Sequence, residues 1–477
     1  MKFFKLNPVL SMCFASLLAA SVCAQEGNVS EIKAKAEKGD VKSQMALATL
    51  YYRGQGVLQH FGEAANWFRK AAEQGDPIAQ KNLASMYFQG QGVQQSELDA
   101  VNWFRKAAEQ GQTDAQIELG LMHINGQGVR ADAAAGAKWF RKAADLGHPV
   151  AQKNLGVLYL KGQGVTQDDT EAAKWFRKAA EQGEPQAQNE FARMLVAGQG
   201  VKKNDAEAAD WFRKSALQGE PTAQRNLGTL YFVGQGVALD DVEALKWFGK
   251  AVAGGDAQAA YYLGLMHAKG RGVTQNAELA LKHFRASAEA GEPMAQNELA
   301  WRYENGQSVT ADLGEAVKWY RKAADQGSWM AQHNLGVMYV NGRGVSKDPA
   351  EGLKWYRKAA DQGYTIAQNE LGFMYDQGVG VEKNPEQALT WFRKAAEQGL
   401  EVAQQNLGIL YTKEIGKTQP DLVEAYTWFN LAAAQGNTNA ANNRDLIMKK
   451  MTVQQVNEAQ RRAAEFLNKS SSGSTKK

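Results

Sequence analysis

Cysteine and proline are scarce in this chain of 477 residues, which has two cysteines and nine prolines. Both cysteines, Cys13 and Cys23, lie within the first 24 residues. If that segment is removed, disulfides, cysteine-ligated metals and thiol nucleophiles are excluded together. Hydrophobic residues make up 44% and charged residues 22% of the chain, an ordinary globular composition. Disordered, collagen-like and disulfide-framework classes are therefore excluded.

Net charge is also small, at +4, which argues against a nucleic-acid or anionic-membrane partner. The one long run of apolar and small residues is Leu6–Ala24, after Lys2 and Lys5. Because it ends in Val22-Cys23-Ala24, it predicts a signal peptide, residues 1–24, cleaved after Ala24. A membrane anchor is the weaker alternative, since the run is short and contains Pro8. We expect a periplasmic or secreted protein of charge +2 (+4 less two lysines), without stable membrane insertion.

Catalytic patterns are missing. The six histidines form no His-Glu-x-x-His motif, and there is no nucleophile elbow or phosphate-binding glycine loop. Two histidines occupy positions otherwise held mostly by tyrosine, and a third replaces a tryptophan, which favours packing roles. These three are His123, His267 and His283. The sequence predicts a protein that is not an enzyme and holds no metal or cofactor.

Glycine is abundant, with 47 residues, and its placement is periodic. The pattern Gly-x-Gly-Val recurs in steps of 36 residues or a multiple of 36. It begins at Gly54, Gly90, Gly126, Gly162, Gly198, Gly234, Gly270, Gly342 and Gly378, and Ser308 interrupts it once. Ten of the twelve tryptophans share one position of the same period, and Trp301 and Trp329 lie outside it. Such a period indicates a repeat array of eleven units.

Each unit predicts two helices, as residues Asp76–Gly111 illustrate. Ala79, Leu83 and Met86 form an apolar stripe at helical spacing, and glycine follows each helix. Capping residues precede the second helices at Ser96, Asp132, Asp168, Asn204, Asp240, Asn276, Asp312, Asp348 and Asn384. Mature prolines lie at or near predicted helix starts. We predict a cap helix in 25–39 starting at Ser30, repeats over 40–436, capping helices in 437–468 and a disordered tail over 469–477.

A repeated Arg-Lys pair on the second helices suggests a basic ridge, but an acidic residue follows each arginine by four positions. That spacing predicts ion pairs along the helix and a largely neutralised face. The arginines are Arg69, Arg105, Arg141, Arg177, Arg321, Arg357 and Arg393, with Glu73, Glu109, Asp145, Glu181, Asp325, Asp361 and Glu397.

The segments Ala151–Gly183 and Ala331–Gly363 closely resemble the Sel-one-like repeat, a relative of the tetratricopeptide repeat. The resemblance spans about 400 residues. It implies an all-α, right-handed α-solenoid that binds other proteins, in envelope signalling, assembly or host contact for exported bacterial members. One cysteine-rich branch is associated with β-lactam binding or hydrolysis. This chain lacks the paired cysteines of that branch, which leaves a hydrolase as a minor alternative.

Positions that vary between repeats are free for recognition, and several on the first helix are unexpectedly apolar or aromatic. If the first helices line the inner face, these residues form a groove for a protein or peptide. Packing against neighbouring repeats is the competing interpretation. A glycan stacked on Trp301, Trp329 and Tyr261 is the alternative ligand. The candidate partner-binding residues are Phe88, Leu121, Ile124, Leu160, Phe232, Tyr261, Trp301, Trp329 and Phe373.

Overall fold

The computed structural model describes residues 29–414 and 419–473, with side chains up to residue 469. All regular structure in that part of the chain is helical, as predicted. The chain divides into two compact units, Met1–Gly254 and Gly255–Lys477, and each is described by itself. The predicted leader and its cleavage site at Ala24 lie outside the described residues.

The first unit contains thirteen described helices. They are α1 (Val29–Glu37), α2 (Val41–Arg53), α3 (Phe61–Glu73), α4 (Pro77–Gln89), α5 (Glu97–Glu109), α6 (Thr113–Asn125), α7 (Ala133–Asp145), α8 (Pro149–Lys161), α9 (Asp169–Glu181), α10 (Pro185–Ala197), α11 (Asp205–Leu217), α12 (Pro221–Val233) and α13 (Asp241–Ala253). From α2 to α23, each even-numbered helix is the first helix of a repeat and the next is its second helix; α24 and α25 follow the last repeat.

The second unit contains twelve described helices, in the same alternation. They are α14 (Ala257–Lys269), α15 (Ala277–Glu289), α16 (Pro293–Asn305), α17 (Leu313–Asp325), α18 (Trp329–Asn341), α19 (Pro349–Asp361), α20 (Thr365–Gln377), α21 (Pro385–Glu397), α22 (Glu401–Tyr411), α23 (Leu422–Ala434), α24 (Thr438–Met448) and α25 (Val453–Gly473). Among all described residues, no helix is both long enough and apolar enough to cross a membrane.

The helix starts confirm the capping pattern. All nine predicted residues cap second helices; in α5, for example, Ser96 accepts a hydrogen bond from the backbone N–H of Asp99 at 3.2 Å. First helices are often capped too: Asp76 Oδ1 accepts from the N–H of Ala79 at 2.7 Å. These caps satisfy amide groups that a helix leaves free at its start.

The second glycine of each turn has a steric reason as well as a conformational one. At Gly92, with φ 68°, an added Cβ would lie 2.2 Å from the carbonyl oxygen of Phe61, at the start of the preceding second helix. The loop therefore packs against that helix so closely that no side chain fits. Ser308 holds the equivalent place with φ 64°, and it is the only non-glycine residue with positive φ in the described part.

Each unit has a core of alanine, leucine and phenylalanine along the facing sides of its helices. A small residue on the first helix admits the phenyl ring of the second. At Gly156, a Cβ would lie 3.0 Å from the ring of Phe176, which is fully buried. Close packing of this kind leaves no room for a larger residue.

Three expectations need correction. Ser30 lies inside α1 and does not cap it. Helix α25 continues to Gly473, so residues 469–473 of the predicted tail are helical, and the last four residues lie outside the described part. The shared position of the ten in-register tryptophans predicts core residues, but only six are buried, whereas Trp103, Trp139, Trp211 and Trp319 are half-buried.

Candidate functional site

The Arg-Lys column on the second helices makes different contacts from those predicted. Of the seven predicted ion pairs, Arg177–Glu181 forms, with Nε and Oε1 2.9 Å apart. Five of the other arginines donate to a tyrosine of the next first helix, 18 residues later, as in Arg69 Nη2 to Tyr87 Oη at 2.9 Å. The other four pairs are Arg141–Tyr159, Arg321–Tyr339, Arg357–Tyr375 and Arg393–Tyr411.

The lysines of the same column lie over tryptophan rings of their own helix. Nine of them place Nζ 3.7–4.4 Å from the ring centroid, with Lys322 over Trp319 as one of the closest. Cation–π attraction holds the charge and shields the half-exposed ring. The column therefore has a structural role. This role comes from contacts with tyrosine and tryptophan rings and not mainly from the predicted ion pairs along one helix.

A glutamine ladder, which sequence analysis missed, joins neighbouring repeats. Ten of the eleven first helices carry glutamine at one position, and its amide donates to a carbonyl eight residues earlier, as in Gln80 to Ala72 O at 3.1 Å. A second glutamine, 30 residues later, donates to the first: Gln110 Nε2 to Gln80 Oε1 is 2.8 Å. The fixed spacing of these glutamines in the sequence is the signal that could have revealed the ladder.

The predicted partner-binding residues separate by burial. Leu121 is only 3% exposed and belongs to the core with Ile117 and Phe140, so it offers no surface. Five others are half-buried: Phe88, Ile124, Leu160, Phe232 and Tyr261. Each first helix is covered by its own second helix as well as by a neighbouring repeat, which buries part of the predicted surface. Ile124, for example, contacts Gly136 of α7 closely.

Three of the nine are exposed, and all belong to the second unit. Trp301, Trp329 and Phe373 are 43%, 39% and 49% exposed. Trp301 and Phe373 occupy the same position of repeats two apart, with the half-buried Val337 in the repeat between them. Aromatic side chains left this open on a repeat protein are the expected anchors of an interface.

Next to these residues, one position of the first helices alternates between asparagine and glutamate. We call it the Asn/Glu row. In the first unit it reads Asn82, Glu118, Asn154, Glu190 and Asn226, and in the second Glu298, Asn334, Glu370 and Asn406. Tyr262 breaks the alternation, in the repeat where His267 and His283 replace the usual tyrosine and tryptophan.

Three of the five asparagines in the row pair with the preceding repeat. Asn226 donates to Asn189 Oδ1 at 2.9 Å, Asn334 to Asn297 at 3.2 Å and Asn406 to Asn369 at 3.0 Å. Each pair joins residues 37 positions apart. We call two such positions, 37 residues apart on adjacent first helices, a rung.

The glutamates have four different environments. Glu190 pairs with Arg193 at 2.8 Å, and Glu298 with Arg302 at 3.0 Å. Glu118 is 4% exposed, and burial raises its pKa to about 7, with the Asp114 charge adding to the shift and Lys81 opposing it. Glu370 has no ion-pair partner among the described residues. Burial raises the pKa of Glu370, and a hydrogen bond with Asn369 partly offsets that.

A connected set of aromatic rings lies on α18, on α19 and at the start of α20, the helix that carries Glu370. The ring centroids of Trp329 and Tyr364 are 4.4 Å apart, those of His333 and Tyr364 are 5.3 Å apart, and those of His333 and Tyr356 are 5.4 Å apart. Burial raises the pKa of Tyr356, and the charge of Glu370 adds to the shift. The 37-residue register of the asparagine pairs puts His333 across from Glu370. We call these four rings and Glu370 the aromatic–carboxylate cluster.

Two other histidines, His267 and His283, pack against each other. His267 and His283 stack with centroids 5.5 Å apart and planes 8° apart, filling the space of a tyrosine and a tryptophan. Burial lowers the pKa of His283, and the neighbouring His267 adds to the effect. Within the described residues, no group of three or more His, Cys, Asp or Glu could hold a metal ion.

With this geometry in place, comparison with known proteins identifies the repeat. The Sel1 repeat family model matches eleven consecutive segments: residues 41–76, 77–112, 113–148, 149–184, 185–220, 221–256, 257–292, 293–328, 329–364, 365–400 and 402–437. The chain belongs to the Sel1 repeat family. Sel1-repeat proteins are generally protein-interaction scaffolds, and their all-α solenoid fold is typically non-catalytic.

Solved structures include similar chains. The c5321 protective antigen of uropathogenic Escherichia coli, which displays an SLR fold, is 38% identical, with 92% of this chain and 94% of that chain covered and a TM-score of 0.68. A Sel1 repeat protein from Oxalobacter formigenes is 29% identical over 76% of this chain and 93% of that chain, with a TM-score of 0.49. A search of curated proteins finds no match.

Proposed function

We propose that this Sel1-repeat chain is an exported, non-catalytic scaffold that binds a partner protein or peptide along its first helices. The supporting observation is the exposure of Trp301 and Phe373 on a face where the other predicted apolar residues are buried or half-buried. Burying such a ring in an interface contributes about 1.5–3 kcal/mol, which is enough to anchor a partner.

Export is part of the proposal and rests on the N-terminal sequence that ends at Ala24. It accords with the 38% identical relative, which is a protective antigen present in uropathogenic strains. We therefore place the scaffold in the periplasm or outside the cell, with a role in envelope assembly, signalling or host contact.

Site-specific crosslinking tests the binding face. A photoreactive phenylalanine analogue replaces Trp301 or Phe373 in separate full-length variants expressed in the native host. Leu279, 39% exposed on a second helix of the same unit, provides the control position. The proposal predicts that the same protein is crosslinked from positions 301 and 373 and that it is not crosslinked from position 279.

A binding measurement with that purified protein completes the test. We expect Trp301→Ala to weaken binding about thirtyfold, the loss of roughly 2 kcal/mol. Leu279→Ala should leave the affinity unchanged. Equal crosslinking at all three positions, or unchanged affinity in Trp301→Ala, would place the interface elsewhere.

A further inference from the structure

The Asn/Glu row contains one carboxylate that lacks the basic partner of its counterparts. Glu190 and Glu298 are paired with arginines on the next turn of their own helices, at Arg193 and Arg302. At Glu370 those two positions hold Phe373 and Met374. His333 lies 37 positions before Glu370, so the register of the rungs places it across from this carboxylate. The residue at the same place relative to Glu118 is Lys81.

His333 does not supply the missing charge. Burial lowers its pKa, so the imidazole is neutral near pH 7, and its Nδ1 lies 3.3 Å from Asn334 Oδ1. Tyr356 and Tyr364 also have raised pKa values, caused mainly by burial, and stay neutral. His333, Tyr356 and Tyr364 thus supply no positive charge to Glu370, and a partly buried carboxylate without one is costly.

Aromatic faces and a carboxylate favour the same ligand. Ring faces attract an organic cation through their quadrupoles, and Glu370 adds direct charge attraction. Trp329 occupies a position where five other first helices begin with proline, and its ring is 39% exposed. The cluster therefore has an open aromatic wall beside a partly buried negative charge.

We infer that the aromatic–carboxylate cluster binds a lysine or arginine side chain of a partner polypeptide. The cation lies against Trp329 and Tyr364 and pairs with Glu370, taking the place of the arginine that Glu190 and Glu298 have on their own helices. The inference rests on the proposed function in that the cation is assigned to a polypeptide. It adds that the partner presents a basic residue beside the apolar residues contacted by Trp301 and Phe373.

Fluorine NMR on the full chain labelled with 5-fluorotryptophan tests this binding directly. The Trp329 signal is the one lost in Trp329→Phe, a change that preserves a ring at an exposed helix start. The probes are the N-acetyl methylamides of lysine, arginine and norleucine, together with choline. Norleucine has the apolar stem of lysine without its charge.

We expect saturable shifts of the Trp329 signal with the lysine or arginine probe and binding of norleucine at least tenfold weaker. Glu370→Gln should weaken binding of the cationic probe about tenfold. The matched control Glu298→Gln, in which the lost carboxylate already has Arg302, should change it less than twofold.

Three outcomes would overturn the inference: norleucine binding as well as lysine, unchanged affinity in Glu370→Gln, or saturation by choline alone. These outcomes are independent of the crosslinking at 301 and 373. A partner captured there without a cation at Glu370 would leave the scaffold proposal intact. A cation bound at Glu370 without any captured partner would support the site and contradict the scaffold.

Discussion

Gln110 donates a hydrogen bond to Gln80 across the junction of two repeats, with Nε2 and Oε1 2.8 Å apart. The same contact joins Gln182 to Gln152 and Gln326 to Gln296. It is missing at Gln116 because Leu146 stands where the donor is expected, and Gln116 Oε1 is buried without a hydrogen bond. A buried acceptor left in this state costs about 1–3 kcal/mol.

Restoring the donor should stabilise the first unit. We expect Leu146→Gln to raise the free energy of unfolding by about 1 kcal/mol, since it satisfies Gln116 and removes an exposed leucine. Urea denaturation followed by circular dichroism measures the change. Leu217→Gln provides the control, because Leu217 is also exposed on a second helix and has no unsatisfied glutamine to meet. An equal gain in both variants would attribute the effect to surface polarity alone.

The turn at Ser308 should gain stability from glycine. A non-glycine residue at φ 64° costs about 1 kcal/mol, so Ser308→Gly should raise the free energy of unfolding by about that amount. Gly344→Ala, in the next repeat, should do the opposite, because its Cβ would lie 2.3 Å from Leu313 O. Thermal denaturation of the two variants tests the pair. A loss of stability in Ser308→Gly would show that the serine makes a compensating contact.

Glu118 should make stability depend on pH. Its pKa is about 7 in the folded chain and near 4.5 when exposed, so between these values the folded state retains a proton that the unfolded chain releases. Stability therefore falls as pH rises from 4.5 to 7. We expect Glu118→Gln to stabilise the first unit by about 1–3 kcal/mol at pH 8 and far less at pH 4.5.

Hydrogen exchange of the α6 amides at both pH values measures that difference locally. Glu190→Gln is the control, because this carboxylate is paired with Arg193 at the surface and its loss changes stability by less than about 1 kcal/mol. Equal effects of Glu118→Gln at pH 4.5 and pH 8 would contradict the assignment.

Binding of the lysine probe at Glu370 should weaken in acid. Burial raises the pKa of Glu370, so this carboxyl becomes neutral at a higher pH than an exposed glutamate. His333 stays neutral until lower pH, because burial lowers its pKa, and then adds repulsion. The Trp329 fluorine signal at pH 8 and pH 5 reports the affinity. Glu370→Gln should remove the part of the pH dependence that comes from protonation of this carboxyl. Equal affinity of the wild type at both pH values would contradict the role of the carboxylate.

The fold could be predicted in detail because its determinants are local. Ser96 caps a helix through a residue three positions away, and Gly92 depends on its own backbone angle. The arginine contacts could not be predicted in this way. The prediction of ion pairs between residues four positions apart considers one helix alone, whereas Arg69 donates a hydrogen bond to Tyr87 on another helix.

The candidate site was harder to predict because exposure depends on neighbours distant in sequence. Leu121, Trp301 and Phe373 occupy the same position of their repeats, yet the first is buried and the others are open. Trp329 stands where five other first helices begin with proline, and its ring is exposed. Its contact with Tyr364, which precedes the next first helix, required the structure.

The alternation along the Asn/Glu row has a consequence for how the array can change length. Junctions at an asparagine of the row alternate with junctions at a glutamate, so the smallest block that can be removed without altering this order is two repeats, 72 residues. Deleting residues 149–220 would bring Ile117 next to Asn226 and preserve the isoleucine–asparagine junction now made with Asn154. Deleting 185–220 alone would place Lys153 against Asn226, where it now faces Glu190. The modular unit of this protein is thus a pair of repeats. Tyr262 marks the place where the alternation of asparagine and glutamate is interrupted.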